Sequence, residues 1–203
     1  MRKVLLLLSG GFDSAVSYAL MRNDLDIITV HFDSSSLTGD SALRKVNDLK
    51  NILSINKLII VPFGNVQIEV SKKCRHDLYY VITRRIMYRI AEDIAVKEKC
   101  SFLLTGENLA QVASQTLSNM SVIKGAVNIE ILRPLLCNDK VETINLARDM
   151  GIFEICSGPE LCSFLGPKHP ATRSDLNLVL KEEKKVDMNS LIKESLENIK
   201  IME

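Results

Sequence analysis

A short apolar run, Val4-Leu5-Leu6-Leu7-Leu8, breaks directly into Ser9-Gly10-Gly11-Phe12-Asp13-Ser14, and a helical stretch follows from about Ser14 to Arg22. Few architectures accept that junction. An unbroken apolar run of this length reads as a strand buried on both faces, which is the signature of a parallel sheet. A glycine pair between strand and helix lets the backbone turn tightly and approach a ligand closely. The rest of the chain repeats the alternation. Further strands are expected at Asp26–Phe32, Lys57–Val61, Ser101–Thr105 and Asn128–Leu132. Helical segments are expected between them, near 39–53, 71–99 and 109–120. Within the long segment, Ile82, Ile86, Ile90 and Ile94 recur every fourth residue and form an apolar stripe. Asp139 and Glu142 have the spacing of a capping box for a helix that ends at Met150, with Gly151 at the C′ position. The expected fold is α/β: a parallel five-stranded sheet with helices on both faces. Two regions are expected, a catalytic domain over 1–173 and a charged helical tail over 174–203.

Composition excludes other classes. The chain has 203 residues, 46% hydrophobic and 25% charged, the balance of an ordinary globular domain. The run Val4–Leu8 is too short to span a bilayer or to serve as a secretory signal, so no membrane association and a cytoplasmic location are expected. Five cysteines with no CxxC pair argue against both a disulfide framework and a zinc site. A net charge of +1, from 26 basic and 25 acidic residues, is low for a protein that grips nucleic acid unaided.

In a sheet of this kind ligands bind at the carboxyl ends of the strands. The residues that follow the strands are therefore the candidates: Ser9–Ser14, His31–Ser36, Gly106–Gln115 and Arg133. The glycine turn, with free N–H groups at a helix start, favours an anion. Asp13 would repel a phosphate by itself, and a Mg²⁺ ion between the two resolves the conflict. A Walker A loop is excluded, because no Gly-Lys-Ser/Thr is present.

The SGGFDS string resembles the pyrophosphate (PP) loop of the ATP pyrophosphatases, enzymes that cleave ATP between the α and β phosphates. Arg84–Ala91, Thr105–Thr116, Ile131–Leu135 and Pro167–Arg173 add further likeness in the same order. Together they resemble the catalytic domain of the tRNA 4-thiouridine synthetase (ThiI) family over nearly the whole chain. The resemblance implies a PP-loop fold of the adenine nucleotide alpha hydrolase type. It also implies ATP-dependent thiolation of a tRNA uridine, with a role in thiamine biosynthesis as a companion expectation. The nucleotide site implied comprises Leu8, Ser9, Gly10, Gly11, Phe12, Asp13, Ser14, His31, Phe32, Gly106, Gln115 and one of Arg84 or Arg85. Cys162 matches the sulfur-carrying cysteine, and Cys156 would resolve its persulfide. Alternatively Cys74, Cys156 and Cys162 would hold an iron–sulfur cluster.

Two family regions have no counterpart here, an RNA-gripping THUMP region and a sulfur-delivering rhodanese domain. The expected partners are therefore tRNA held by a separate THUMP-like protein or by an oligomer such as a homodimer, and a persulfide or sulfide donor such as a cysteine desulfurase. Lys72, Lys73, Arg75 and Lys168 are the candidate docking face for tRNA, and His169 and Arg173 lie beside Cys162 as further phosphate contacts. Two other readings stand beside this one: an ATP pyrophosphatase acting on a small molecule, and a nucleotide-binding subunit without catalysis.

Overall fold

The computed structural model describes residues 1–157 and 165–203. In chain order its elements are β1 (Arg2–Leu7), α1 (Phe12–Met21), β2 (Leu25–Asp33), α2 (Ser35–Thr38), α3 (Ser41–Ile52), β3 (Leu58–Pro62), α4 (Gly64–Lys73) and α5 (Tyr79–Lys97). They continue with β4 (Phe102–Leu104), α6 (Leu117–Lys124), β5 (Glu130–Leu132), α7 (Lys140–Asp149), α8 (Phe153–Cys156), α9 (Leu176–Glu183), α10 (Met188–Glu197) and β6 (Lys200–Met202).

The sheet order is β5-β4-β1-β2-β3-β6. Strands β1 to β5 pair in parallel, as the buried apolar runs require. Alternate side chains feed two separate cores. Leu5, Leu7, Ile28, Val30, Ile59 and Val61 pack on one face with α4, α5, α9 and α10. Val4, Leu6, Leu8, Ile27, Leu58 and Ile60 pack on the other with α1, α3, α7 and α8. The isoleucine stripe of α5 lies in the first core: Ile82, Ile86 and Ile90 are fully buried and Ile94 nearly so. Each such side chain contributes about 1.5–3 kcal/mol relative to exposure.

The sheet has six strands where five were expected. The sixth, β6, pairs antiparallel with β3 in the register Leu58↔Met202, Ile59↔Ile201, Ile60↔Lys200. The segment expected to be helical over 71–99 is broken. Helix α4 ends at Cys74, which is extended, and a 3₁₀ turn at His76–Leu78 precedes α5. No glycine or proline marks the break. It is stabilised from far along the chain: the Arg75 N–H donates to Glu182 Oε2 at 2.7 Å. The helix expected near 109–120 is a 3₁₀ turn, Ala113–Gln115, followed by α6, which Thr116 caps through its hydroxyl. The capping box of α7 is present, and Gly151 has the positive φ of +68° expected at its end.

The chain runs β1–β2–β3 in one direction and then crosses back through α4 and α5 to β4, on the other side of β1. The order therefore reverses between β1 and β4, and their carboxyl ends form the crevice where ligands bind in sheets of this type.

Candidate nucleotide site

At this crevice the SGGFDS turn is stitched by its own serines. The Ser9 N–H donates to Ser14 Oγ at 3.1 Å, and that hydroxyl donates to the Gly11 carbonyl at 3.1 Å. The Gly11 N–H donates to Ser9 Oγ at 3.3 Å. These hydroxyls shape the loop rather than standing as spare donors. Gly10 has φ +84°, a conformation L side chains rarely adopt, and lies against Lys45 and Val46 of α3. The N-cap of α1 is Gly11, which has no side chain with which to cap the helix. Its first-turn N–H groups and macrodipole are thus presented to an anion, with Asp13 at the same end.

Gly106 closes the crevice from the β4 side. A Cβ placed on it would stand 2.4 Å from the Asp13 carbonyl carbon and 2.5 Å from the Ser14 nitrogen. The segments after β1 and β4 therefore touch backbone to backbone. The segment after β4 is tied in turn to the one after β5. Thr105 N–H donates to Leu132 O at 3.0 Å, Arg133 Nε to Glu107 Oε2 at 2.8 Å, and Asn108 Nδ2 to Asn138 O at 2.6 Å.

Beside the loop is a cavity of about 110 Å³ lined by Leu8, Ser9, His31, Phe32, Gln67 and Arg84 among others. A larger cavity, about 580 Å³, lies at the β3–β6 edge between α3 and α10. Size favours the second, but of the two the first adjoins the glycine loop. His31 Nδ1 is 2.9 Å from the Leu8 carbonyl, which fixes it as the N–H donor. Burial holds the imidazole below its ordinary pKa, against the Leu8 hydrogen bond and the Asp33 charge, so it is neutral at physiological pH. Phe32 packs edge-on against Phe63, with ring centroids 5.2 Å apart.

The sequence-derived residues separate on this geometry. Leu8, Ser9, His31, Phe32 and Arg84 gather around one cavity, and Gly10, Gly11, Asp13, Ser14 and Gly106 form the adjoining loop. Phe12 turns away and packs on Phe153 of α8, with centroids 5.4 Å apart. Gln115 is buried in its 3₁₀ turn and does not line the cavity. Of Arg84 and Arg85, Arg84 lines the cavity and Arg85 does not. Arg85 is 1% exposed and spans Glu183 of α9 and the Val122 carbonyl. Gln67, Thr83 and Met87 line the cavity and were not anticipated. Thr83 and Met87 flank Arg84 on α5, and that spacing was the available signal.

Cys156 ends α8, buried, and burial pushes its thiol up to about 11, with Lys45 pulling down and Asp13 pushing up. A thiol so placed is almost wholly protonated at neutral pH, and exchange at it requires uncovering. Cys162 lies outside the described residues. Cys74 belongs to one core and Cys156 to the other, on opposite faces of the sheet, so these two cannot ligate one iron–sulfur cluster. Among the described residues, no three His, Cys, Asp or Glu side chains gather as a metal site. Cys137 is exposed.

A mainly parallel sheet with a glycine loop at its switch point, met by a glycine of the neighbouring strand's loop, defines a PP-loop α/β domain. The sequence matches the family described as thiamine biosynthesis protein (ThiI) over residues 1–188, and the chain belongs to that family. It is 41% identical over 205 residues to a probable tRNA sulfurtransferase of Moorella thermoacetica, covering 98% of this chain and 53% of that protein. A probable tRNA sulfurtransferase of Coxiella burnetii is likewise 41% identical over 206 residues, covering 98% of this chain and 52% of its own length. The chain thus spans about half the length of these relatives. Among solved structures, a 4-thiouridine synthetase–RNA complex with bound ATP superposes with TM-score 0.92 at 36% identity, covering 99% of this chain and 55% of that one. An NH3-dependent NAD synthetase from Campylobacter jejuni shares the fold alone, with TM-score 0.59 and 16% identity over 96% of this chain and 83% of its own.

Proposed function

We propose that this chain binds ATP at the SGGFDS loop and activates a tRNA uridine for thiolation. The observation that carries the reading is the glycine turn that opens α1, set against Gly106 at the switch point and beside a cavity of about 110 Å³. The family and the relatives' names support the substrate class. In this reading the uridine O4 attacks the α-phosphorus, the bond to pyrophosphate breaks, and O4 becomes part of an AMP leaving group. A sulfur nucleophile then attacks C4, and the C4–O4 bond breaks with release of AMP. Where the nucleophile is a persulfide, a second thiol takes the inner sulfur as a disulfide and leaves the terminal sulfur on C4. Cys162 carries the sulfur in this scheme, supplied by a donor such as a cysteine desulfurase.

The loop N–H groups bind phosphate oxygens, the 31–32 segment and Arg84 flank the base, and Asp13 stands at the phosphate end. One carboxylate with nucleotide oxygens and water is the usual environment of Mg²⁺, and Asp13 fits that donor set. The ion would offset charge on the leaving pyrophosphate. A cytoplasmic location, alongside tRNA, belongs to the same reading. Asp13→Ala is expected to lower ATP-dependent pyrophosphate release by about 100-fold or more, with the fold intact. Pyrophosphate release at wild-type rate in the presence of tRNA would remove the loop from the chemistry.

The substrate is presented in part by another module, such as a THUMP-like partner or a second copy. Net charge is +1, and two cations of the candidate docking face are already engaged: Lys73 with Glu69 at 2.6 Å and Arg75 with Asp77 at 2.7 Å. Phosphate contacts dominate nucleic-acid affinity, so the chain alone is expected to bind cognate tRNA more weakly than about 1 μM at physiological salt. A titration giving tighter binding by the monomer would refute this.

A further inference from the structure

The Glu107–Arg133 pair sits where the segments after β4 and β5 meet, one residue from the glycine that touches the phosphate loop. The Glu107 carboxylate is 5% exposed. Arg133 Nε donates to its Oε2 at 2.8 Å, and Thr105 Oγ1 donates to the same oxygen at 3.4 Å. Tyr88, fully buried on α5, stands beside it. Burial, and then the charge of Glu107, raise this phenol above its ordinary range, while Arg84 and Arg133 act in the opposite sense.

A buried ion pair is a poor way to gain stability. Removing two charges from water costs several kcal/mol per ion, and an apolar pair of similar size would pack as well. What a charged pair supplies is a fixed geometry. Here that geometry bears on Gly106, which lies so close to the Asp13–Ser14 peptide that an added Cβ would stand 2.4 Å from the Asp13 carbonyl carbon.

We propose that Glu107 is a positioning residue for the phosphate loop: by holding Arg133 it locks the segment after β4 at the height where Gly106 supports the Asp13–Ser14 peptide. This rests on the reading that the loop binds ATP. Loss of the pair lets the segment drop or tilt, the peptide follows, and the loop N–H groups leave the directions they need for phosphate. The cost falls on nucleotide binding more than on the fold, because Asn108 and Leu109 still tie the same segment to 136–138.

The test compares the purified wild-type chain with Glu107→Gln, Arg133→Gln, Arg133→Lys and the double Gln variant. It measures Mg·ATP affinity by calorimetry, thermal midpoint, and kcat and KM for pyrophosphate release with tRNA. Glu107→Gln keeps the shape and removes the charge. The expected result is a tenfold or greater loss of ATP affinity in each single Gln variant, little further loss in the double variant, and partial recovery in Arg133→Lys. Additive losses, or wild-type ATP affinity in folded Glu107→Gln, would overturn the proposal and leave the ATP-binding reading standing. If Glu107→Gln does not fold, the two Arg133 variants decide, since wild-type affinity in both of them, folded, overturns it equally. A wild-type chain that binds no ATP overturns the proposed function, and this inference with it.

Discussion

Replacing Gly106 with alanine is expected to lower ATP-dependent pyrophosphate release by about 100-fold, the order of loss that a 1 Å misplacement of reacting groups produces. The added Cβ would lie 2.4 Å from the Asp13 carbonyl carbon, 2.5 Å from the Ser14 nitrogen and 2.6 Å from the Asp13 oxygen. All three are backbone atoms, so no side chain can swing aside to make room. One of the two segments must shift. The segment after β4 is held to β5 and to 136–138, and the serine bonds of the SGGFDS loop close within the loop itself. The loop is expected to be the part that yields. The stability cost of such overpacking is about 1–3 kcal/mol, small beside the loss of binding geometry. Calorimetry with Mg·ATP and a thermal melt on the same sample separate the two effects. Wild-type affinity in Gly106→Ala would show that the contact at the crevice does not set the loop, and would weaken the case for Glu107 as well.

The parts of this arrangement that follow local rules were legible in the sequence. Val4–Leu8 reads as a strand buried on both faces, and both faces are indeed covered. The α5 stripe, the capping box at Asp139 and the terminal Gly151 depend only on neighbours within a few residues, and they stand as read. What escaped depends on partners far along the chain. The break at Cys74–Arg75 is satisfied by Glu182, more than a hundred residues away, so no local residue announces it. Strand β6 is three residues long and is defined by pairing with β3 rather than by any pattern of its own. At the candidate site, the glycine turn was legible because its shape is set by consecutive residues. The Arg84/Arg85 ambiguity was not resolvable, since adjacent helix positions differ by about 100° of rotation and only the partner helix tells which one is buried. That partner is α9, in the charged tail.

The tail supplies the second large effect. Glu183 accepts from Arg85 Nε at 2.7 Å and from Arg89 Nη2 at 2.8 Å, and the same Arg85 donates to the Val122 carbonyl. One carboxylate thus joins α9 to α5, and its guanidinium partner joins α5 to the end of α6. Burial works to raise the pKa of Glu183, but hydrogen bonds and charge from Arg89 and Arg85 outweigh it and hold the carboxyl below its ordinary value. Glu183→Ala leaves a guanidinium that is 1% exposed without its carboxylate, and breaking a buried pair from one side costs about 3–5 kcal/mol. In a domain of this size that lowers the thermal midpoint by about 10 °C. The pH dependence follows from the direction of the shift. A carboxylate whose folded pKa is depressed contributes stability above its unfolded pKa and loses it as pH falls through the folded value. The gap between wild type and Glu183→Ala in urea unfolding should therefore be full at neutral pH and narrow on acidification below about pH 4. An equal gap at neutral and acid pH would mean that Glu183 acts through packing alone. A gap under about 1 kcal/mol, the worth of an exposed pair, would mean that α9 is not held to the core by this pair.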